Sequence, residues 1–250
     1  GFIELSNDES PRVSRGMSSR IGIGLLGLGT VGGGVASILQ SPDERHPLVA
    51  DLKLIRVAVR DLNRPRSVEL PKEILTTDPS DVVNDPAVDV VVELIGGIEP
   101  ARSLILQAIA SGKSVVTANK AVIARHGEEI AAAAAKAGVY VLIEAAVGGG
   151  IPIIEPLKQS LGANRINRVS GIINGTTNYI LTRMADEGAA YESVLKDAQE
   201  LGYAEADPAA DVDGLDAADK IAILANLAFG GSVERSAVPT AGISQLQGRD

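Results

Sequence analysis

Asp216 and Lys220 are the two side chains whose types and spacing best suit acid–base chemistry in this sequence. Residues four apart lie on one face of a helix, and the flanking residues are mainly alanine, leucine and isoleucine. We therefore expect a helix over residues 214–229 that buries the pair in part. A partly buried ammonium can act as a general acid, so the pair is a candidate for proton transfer.

The same residues have a plainer interpretation. Asp213 stands where a helix N-cap would be, and Asp216 follows three residues later, which is nearly a capping box. Asp216 and Lys220 would then be a surface ion pair that contributes roughly a few tenths of a kcal/mol. Residue types and spacing alone leave both interpretations open.

A second candidate site is the glycine-rich bend after the apolar run at residues 21–26. Gly27, Gly29 and Gly32 match G-x-G-x-x-G between a predicted strand and a predicted helix at residues 31–39. In that arrangement a pyrophosphate lies at the helix N-terminus, so the stretch predicts a dinucleotide site.

Two other interpretations of this stretch are less favourable. The register Gly22, Gly24 and Gly27 would put the turn inside the strand. A membrane or signal segment over residues 21–39 is disfavoured because seven glycines weaken a spanning helix.

The end of the second predicted strand, residues 52–59, bears on the choice of nucleotide. An acidic residue there usually receives the ribose hydroxyls of NAD, but here Arg60 follows the strand. An arginine suits the 2′-phosphate of NADP, whereas Asp61 keeps the NAD interpretation open.

Further strands are predicted at residues 86–97, 113–118 and 140–144, with helices at about 99–111 and 128–136 between them. This alternation indicates an α/β fold, a Rossmann-type doubly wound parallel sheet, with ligands at the carboxyl ends of its strands. The residues at those ends that could contact a ligand are Gly96, Gly97, Thr117, Asn119, Lys120 and Glu144.

The character of the sequence changes after Glu144, where residues 145–152 resemble a hinge loop. Helices are predicted at 153–161, 179–187 and 191–201, a strand at 164–173, a capping turn at 174–178 and an acidic loop at 202–213. We expect a leader or disordered tail at 1–16, a dinucleotide-binding domain at 17–148 and a second α+β domain for substrate binding and dimerisation at 149–250.

Composition excludes several classes of function. The 250 residues carry a formal net charge of −9 and only 2% are aromatic, which disfavours a nucleic-acid partner. There is no cysteine, so disulfides, thiolate metal sites and cysteine nucleophiles are excluded, in keeping with a cytoplasmic protein. The two histidines, His46 and His126, lie in a proline-flanked loop and a polar turn, where neither suits catalysis.

Taken together, the motifs resemble the homoserine dehydrogenase family, and the resemblance covers nearly everything after Met17. The shared segments are Gly-Leu-Gly-Thr-Val-Gly-Gly-Gly (27–34), Glu-Leu-Ile-Gly-Gly (93–97), Thr-Ala-Asn-Lys (117–120), Glu-Ala-Ala-Val-Gly-Gly-Gly-Ile-Pro (144–152), Asn-Gly-Thr-Thr-Asn-Tyr-Ile (174–180) and the Gly-Tyr-Ala-Glu-Ala-Asp-Pro to Lys stretch (202–220). The last segment is specific, whereas many oxidoreductases share the first.

The resemblance implies that L-homoserine and L-aspartate 4-semialdehyde are interconverted with NADP or NAD, in threonine, methionine and isoleucine biosynthesis. It assigns the reacting proton to Lys220 and Lys120, and a monovalent cation, Na⁺ or K⁺, to Glu144, Val147, Gly149 and Ile151. The substrate would meet Glu205, Asp216, Asp211, Asn174, Gly175, Thr176 and Tyr203. The cofactor would meet Gly27, Gly29, Thr30, Val31, Gly32, Arg60, Gly96, Gly97, Thr117 and Lys120.

Members of that family continue past the position of Asp250, so we expect the second domain to be incomplete here and the homodimer to require the full length. Two alternatives stay open. A related NAD(P)-dependent amino-acid dehydrogenase need not carry Glu205, Asp216 and Lys220 together, and a non-catalytic fragment would bind nucleotide without turnover.

Overall fold

The computed structural model describes residues 20–43 and 45–247, so the predicted leader at 1–16 lies outside the described residues. A six-stranded parallel sheet organises the chain in the order β3-β2-β1-β4-β5-β6, which is the predicted doubly wound arrangement. Its strands are β1 (Ile21–Leu26), β2 (Leu52–Ala58), β3 (Leu75–Thr76), β4 (Val90–Glu93), β5 (Ser114–Thr117) and β6 (Val141–Leu142). The strand order reverses between β1 and β4, and the carboxyl ends there open a crevice.

Eight α-helices accompany the sheet in the described part of the chain. They are α1 (Thr30–Gln40), α2 (Ser80–Val83), α3 (Ala101–Ala110), α4 (Lys120–Ala137), α5 (Gly175–Glu187), α6 (Tyr191–Glu200), α7 (Ala209–Val212) and α8 (Leu215–Phe229). α4 is longer than predicted because the Asn119 side chain caps its first turn by accepting the Val122 N–H. Its C-terminus falls at Gly138, which adopts the left-handed conformation (φ 70°) that glycine tolerates.

The bend between β1 and α1 follows the Gly27–Gly32 register. Gly27 has φ 99°, and a Cβ on it would lie 2.8 Å from the carbonyl oxygen of Leu94. A Cβ on Gly32 would lie 2.2 Å from the Gly27 carbonyl oxygen, so α1 packs closely on the turn. Gly22 and Gly24 lie inside β1, which makes the other register wrong. In the part of the chain that the structure describes, no helix is long and apolar enough to span a membrane.

Two predicted elements of the second region differ from the structure. Residues 164–173 are not a strand, because no strand of the described chain pairs with them to form a ladder. The helix expected at 153–161 is shorter, over residues 154–160, and its Pro156–Ser160 part is π-helical. Pro156 is tolerated there because the first turn of a helix needs no N–H donor.

The apolar core joins the two regions. Ile154, Leu157 and the α8 residues Ala222, Ile223 and Leu224 belong to the cluster that also buries α3, α4 and one face of the sheet. A smaller cluster, separate from it, holds α5, α6 and α7 together through Ile180, Met184, Val194, Ala198, Ala204 and Val212. As a consequence, α8 is fixed directly against the nucleotide-binding region.

Candidate functional site

The N-terminus of α1 offers a cradle for an anion. No side chain caps this helix end, and Thr30 and Val31 are exposed beside it. A Cβ on Gly29 would enter open space, so a ligand could reach the backbone at that point. Uncapped N–H groups and the positive end of the helix dipole suit a phosphate, and these residues therefore fit a dinucleotide.

The loop after β4 forms the other side of the crevice. Gly96 and Gly97 have positive φ angles of 79° and 72°. The side chain of Glu93, which is fully buried, holds this loop in place through hydrogen bonds. Its Oε1 accepts the N–H of Ile95 at 2.8 Å, and its Oε2 accepts the Thr117 hydroxyl at 2.6 Å. Thr117 is itself fully buried, so its side chain does not line the crevice but stabilises Glu93 beneath the loop.

Two lysines meet on one carboxylate at the carboxyl end of β5. The Nζ of Lys120, the first residue of α4, lies 3.0 Å from Asp216 Oδ1. The Nζ of Lys220 lies 2.6 Å from Asp216 Oδ2 and donates to the carbonyl of Ile173 at 2.7 Å. The side chains of Lys220 and Asp216 are 18% and 8% exposed, which confirms the expected partial burial and excludes a solvated surface pair.

The same cluster shows that the capping interpretation of Asp213 and Asp216 is wrong. Gly214 is the N-cap of α8, with φ 78° and no side-chain cap. A Cβ at Gly214 would approach Thr240 and Ala241, and only glycine adopts this conformation readily. Asp216 therefore directs its carboxylate to the lysines rather than to the helix end.

Asn174 holds the carboxylates of this cluster in place. Its Nδ2 donates to Asp211 Oδ1 at 2.7 Å and to Asp216 Oδ2 at 3.0 Å, while its Oδ1 caps α5 by accepting the Thr177 N–H. Burial acts to raise the pKa of the Asp216 carboxyl, but hydrogen bonds from Lys220, Asn174 and Lys120 outweigh burial and hold that pKa below its usual range.

The remaining predicted substrate residues lie nearby on the smaller cluster. The Thr176 hydroxyl donates to the Tyr203 carbonyl at 2.8 Å, and the Tyr203 ring lies 5.0 Å from that of Tyr179. Gly175 begins α5 directly after Asn174. Glu205 is exposed and its side chain joins none of the described ion pairs, so the structure does not bring it onto the Asp216 cluster.

Arg60 follows β2 and Glu144 follows β6, two strands that lie on opposite sides of β1 and β4 in the sheet. Arg60 is exposed one residue beyond Val59, while the Asp61 carboxylate accepts the Asn63 N–H at 2.8 Å. The Glu144 carboxylate accepts the N–H groups of Ile153, Ile154 and Glu155 at 2.7 to 2.9 Å, which caps the helical turn that follows the loop.

Two family models match the chain, and their boundaries follow this architecture. The model described as the NAD binding domain of homoserine dehydrogenase matches residues 27–144, and the model described as homoserine dehydrogenase matches residues 152–250. A homoserine dehydrogenase from Synechocystis is 65% identical, over 91% of this chain and 53% of the relative. One from Thiobacillus denitrificans, solved by crystallography, is 52% identical with a TM-score of 0.82, over 92% of this chain and 54% of that chain.

A solved protein from Archaeoglobus fulgidus, whose homoserine dehydrogenase name is provisional, is 34% identical with a TM-score of 0.78. That match covers 92% of this chain and 74% of the archaeal chain. The chain belongs to the homoserine dehydrogenase family. It spans about half the length of the curated relatives that it matches, at 53% and 54% of the Synechocystis and Bacillus subtilis proteins. A hyperthermophilic archaeal homoserine dehydrogenase in complex with NADPH is 26% identical, over 91% of this chain and 75% of that one, with a TM-score of 0.77.

The loop that the family resemblance assigns to a cation can supply backbone oxygens. None of the hydrogen bonds in residues 20–43 and 45–247 is accepted by the carbonyls of Val147, Gly149 or Ile151. Within those same residues, no three acidic or histidine side chains converge as metal ligands. The carbonyl oxygens of Val147, Gly149 and Ile151 are therefore available as ligands for a cation that is bound by backbone groups.

The contribution of Glu144 to the free energy of unfolding should depend on pH. Burial acts to raise its pKa, but the three backbone N–H groups outweigh burial and lower the pKa from 4.5. A lowered pKa adds stability that is complete above the ordinary value and is lost as the pH falls through the folded value. Glu144→Gln should cost about 1–2 kcal/mol of unfolding free energy at pH 7 and much less at pH 3, measured by urea unfolding.

The control for this measurement is Glu69→Gln, which changes an exposed carboxylate and should be nearly neutral at both pH values. A Glu144→Gln deficit that is the same at pH 7 and pH 3 would contradict a role for the ionised carboxylate.

Sequence reasoning missed a second buried carboxylate beside the lysine cluster. Asp219 on α8 is 6% exposed and pairs with Arg125 of α4 at 3.1 Å and with Arg235 at 2.5 Å. The pair with Arg125 links α8 to α4 at the residue directly before Lys220. A charged residue among the apolar residues of α8 was the available signal, but its partners depend on tertiary packing.

Proposed function

We propose that the protein is an NAD(P)-dependent homoserine dehydrogenase that interconverts L-homoserine and L-aspartate 4-semialdehyde. The observation that carries this proposal is the meeting of Lys120 and Lys220 on Asp216, beside the glycine loop of the crevice. The names of the relatives and the two family models support the same assignment.

The chemistry divides between the cofactor and this chain's own residues. When bound, the nicotinamide supplies or accepts the hydride at the carbon that carries the reacting oxygen. In the direction of reduction, Lys220 donates a proton to that oxygen, and Lys120 stabilises the negative charge that develops on it. Asp216 holds both ammonium groups within 3.0 Å of its oxygens and so orients them together.

Acidic side chains bind the substrate's ammonium group in this proposal. Asp216 contacts the ammonium directly, and Asp211 supports it through the shared amide of Asn174. Glu205 completes the set from the exposed loop before α7, which requires that loop to close on the substrate. Gly175, Thr176 and Tyr203 form the adjoining wall.

We further propose NADP(H) as the preferred cofactor, held at Gly27, Gly29, Thr30, Val31 and Gly32 and facing Gly96 and Gly97. The archaeal relative's complex with NADPH supports this choice, as does the exposed guanidinium of Arg60 at the end of β2. Lys120 contributes from the start of α4, whereas the fully buried Thr117 acts only through its hydrogen bonds to Glu93 and Asn119.

Arg60→Ala tests the cofactor preference. A lost charge-assisted contact to the 2′-phosphate should weaken NADPH binding about 10- to 100-fold and leave NADH binding unchanged. Arg64→Ala, in the same exposed loop, is the matched control. Fluorescence titration of both nucleotides measures the effect, and equal or tighter NADH binding by the parent protein would refute the role of Arg60.

Several finer properties belong to the same proposal. A Na⁺ or K⁺ ion is held by the loop from Glu144 through Val147 and Gly149 to Ile151, and the whole protein is a cytoplasmic homodimer. Its place is in threonine, methionine and isoleucine biosynthesis, with neither nucleic acid nor membrane as a partner. The nucleotide-binding and substrate domains divide at residue 148, with residues 149–250 forming part of the second.

The experiment that tests the function measures homoserine oxidation with NADP⁺ and NAD⁺ together with NADPH binding. Turnover that depends on homoserine supports the proposal. Turnover on a different small amino acid favours a related dehydrogenase, and tight nucleotide binding with no turnover on any of them favours a nucleotide-binding protein.

A further inference from the structure

Glu93 is a buried acidic residue that the proposed chemistry does not use. It is fully buried at the end of β4, and no lysine or arginine pairs with it in the part of the chain described. A carboxylate in that position is costly unless several donors satisfy it. Here the donors are the N–H groups of Ile95 and Gly96 and the hydroxyl of Thr117.

A continuous path of hydrogen bonds leads from Glu93 to Asn119, the residue before Lys120. The Thr117 hydroxyl donates to Glu93 and accepts the Asn119 N–H at 2.9 Å. Asn119 Nδ2 donates to the Gly97 carbonyl at 2.7 Å, and its Oδ1 caps α4. The next residue is Lys120, so the path starts at the crevice loop and ends one residue from a group that contacts Asp216.

We infer that Glu93, Thr117 and Asn119 are positioning residues that fix the ammonium of Lys120 relative to the nucleotide loop at residues 95–97. This inference rests on the proposed function for its meaning in catalysis. Hydride and proton must reach adjacent atoms, and positions must be held to about half an ångström for that. A buried network with every member satisfied provides such rigidity.

The chain contains a matched control for this network. Thr76, at the end of β3, donates its hydroxyl to Asp81 Oδ2 at 2.6 Å and accepts the Asp78 N–H at 3.1 Å. Its bonds are thus of the same types as those of Thr117, but they lead to α2 rather than to Lys120. Thr76→Val and Thr117→Val remove equivalent hydrogen bonds at the ends of two strands.

The test compares these variants in the full-length protein. Thr117→Val should lower kcat at least tenfold and leave the NADPH Kd within about threefold, whereas Thr76→Val should leave both within about twofold. Thr117→Ser should restore most of the rate, because it returns the hydroxyl. Equal kcat values for Thr117→Val and Thr76→Val, or no recovery in Thr117→Ser, would overturn the inference.

A second readout does not depend on turnover. Acylation of the Lys120 amine, followed by mass spectrometry, should be at least threefold faster in Thr117→Val and unchanged in Thr76→Val, because a displaced Lys120 loses its ion pair with Asp216. If the unsubstituted protein does not oxidise homoserine, the proposed function fails and this rate alone decides the inference. An unchanged acylation rate overturns it.

Should Thr117→Val not fold, Asn119→Ser takes its place. Serine retains a capping oxygen for α4 but cannot reach the Gly97 carbonyl, so the same changes in kcat and acylation are expected.

Discussion

Replacing Lys220 with alanine should lower kcat at least about a hundredfold. The substitution removes a general acid and a charge contact to the developing alkoxide together, and general acid–base groups typically contribute about 10²- to 10⁴-fold. NADPH affinity should hardly change, because Lys220 lies on α8 and the phosphate cradle is at α1. Stopped-flow measurement of NADPH consumption during reduction of L-aspartate 4-semialdehyde, with the full-length protein, gives the rate.

Lys196→Ala is the control for that substitution. Lys196 also forms a pair four residues apart in a helix, with Glu200 at 3.8 Å, but its side chain is 76% exposed. The Lys196→Ala variant should keep the kcat of the parent protein. If Lys220→Ala stayed within about threefold of the parent kcat, the barrier would have changed by less than about 1 kcal/mol and Lys220 would not be the proton donor.

Gly32→Ala should destabilise the fold by about 2–3 kcal/mol and weaken NADPH binding at least tenfold. A Cβ there would lie 2.2 Å from the Gly27 carbonyl oxygen, so α1 must move away from the turn. Overpacking against backbone atoms has costs of this size, and the displaced helix no longer presents its N-terminus to the pyrophosphate. Urea unfolding and NADPH titration measure the two effects.

Gly34→Ala in the same helix should have the opposite effect on stability. A Cβ on Gly34 would meet no atom within 4 Å, and alanine in a helix interior is favoured over glycine by about 0.5–1 kcal/mol. Destabilisation by both substitutions would show that the close packing at Gly32 is not the cause.

The nucleotide-binding half was largely predictable because its signals are local. An uncharged apolar run followed by spaced glycines predicts β1, the turn and α1, and the structure has them at Ile21–Leu26 and Thr30–Gln40. The pairing of Asp216 with Lys220 was predictable for the same reason, since helical spacing places them together.

The contacts that complete the site depend on tertiary packing. Lys120 reaches Asp216 only because α4 packs on α8, and no local pattern records a contact between residues 96 positions apart. The same holds for Arg125 with Asp219. At residues 164–173 the β-branched residues Ile166, Val169 and Ile172 favour a strand. A strand also requires a neighbouring strand, and local reasoning cannot supply one.

The separation of the α5–α7 cluster from the large apolar cluster has a consequence for motion. Lys120, Asp216 and Lys220 are on helices of the large cluster, whereas Thr176, Tyr203 and Glu205 belong to the α5–α7 part that packs on the small one. The site thus lies at the boundary between two separately packed clusters. Amide hydrogen exchange should be slower in α4 and α8 than in α5–α7. Substrate would then enter by local opening of α5–α7, while Lys120 and Lys220 keep their contacts with Asp216.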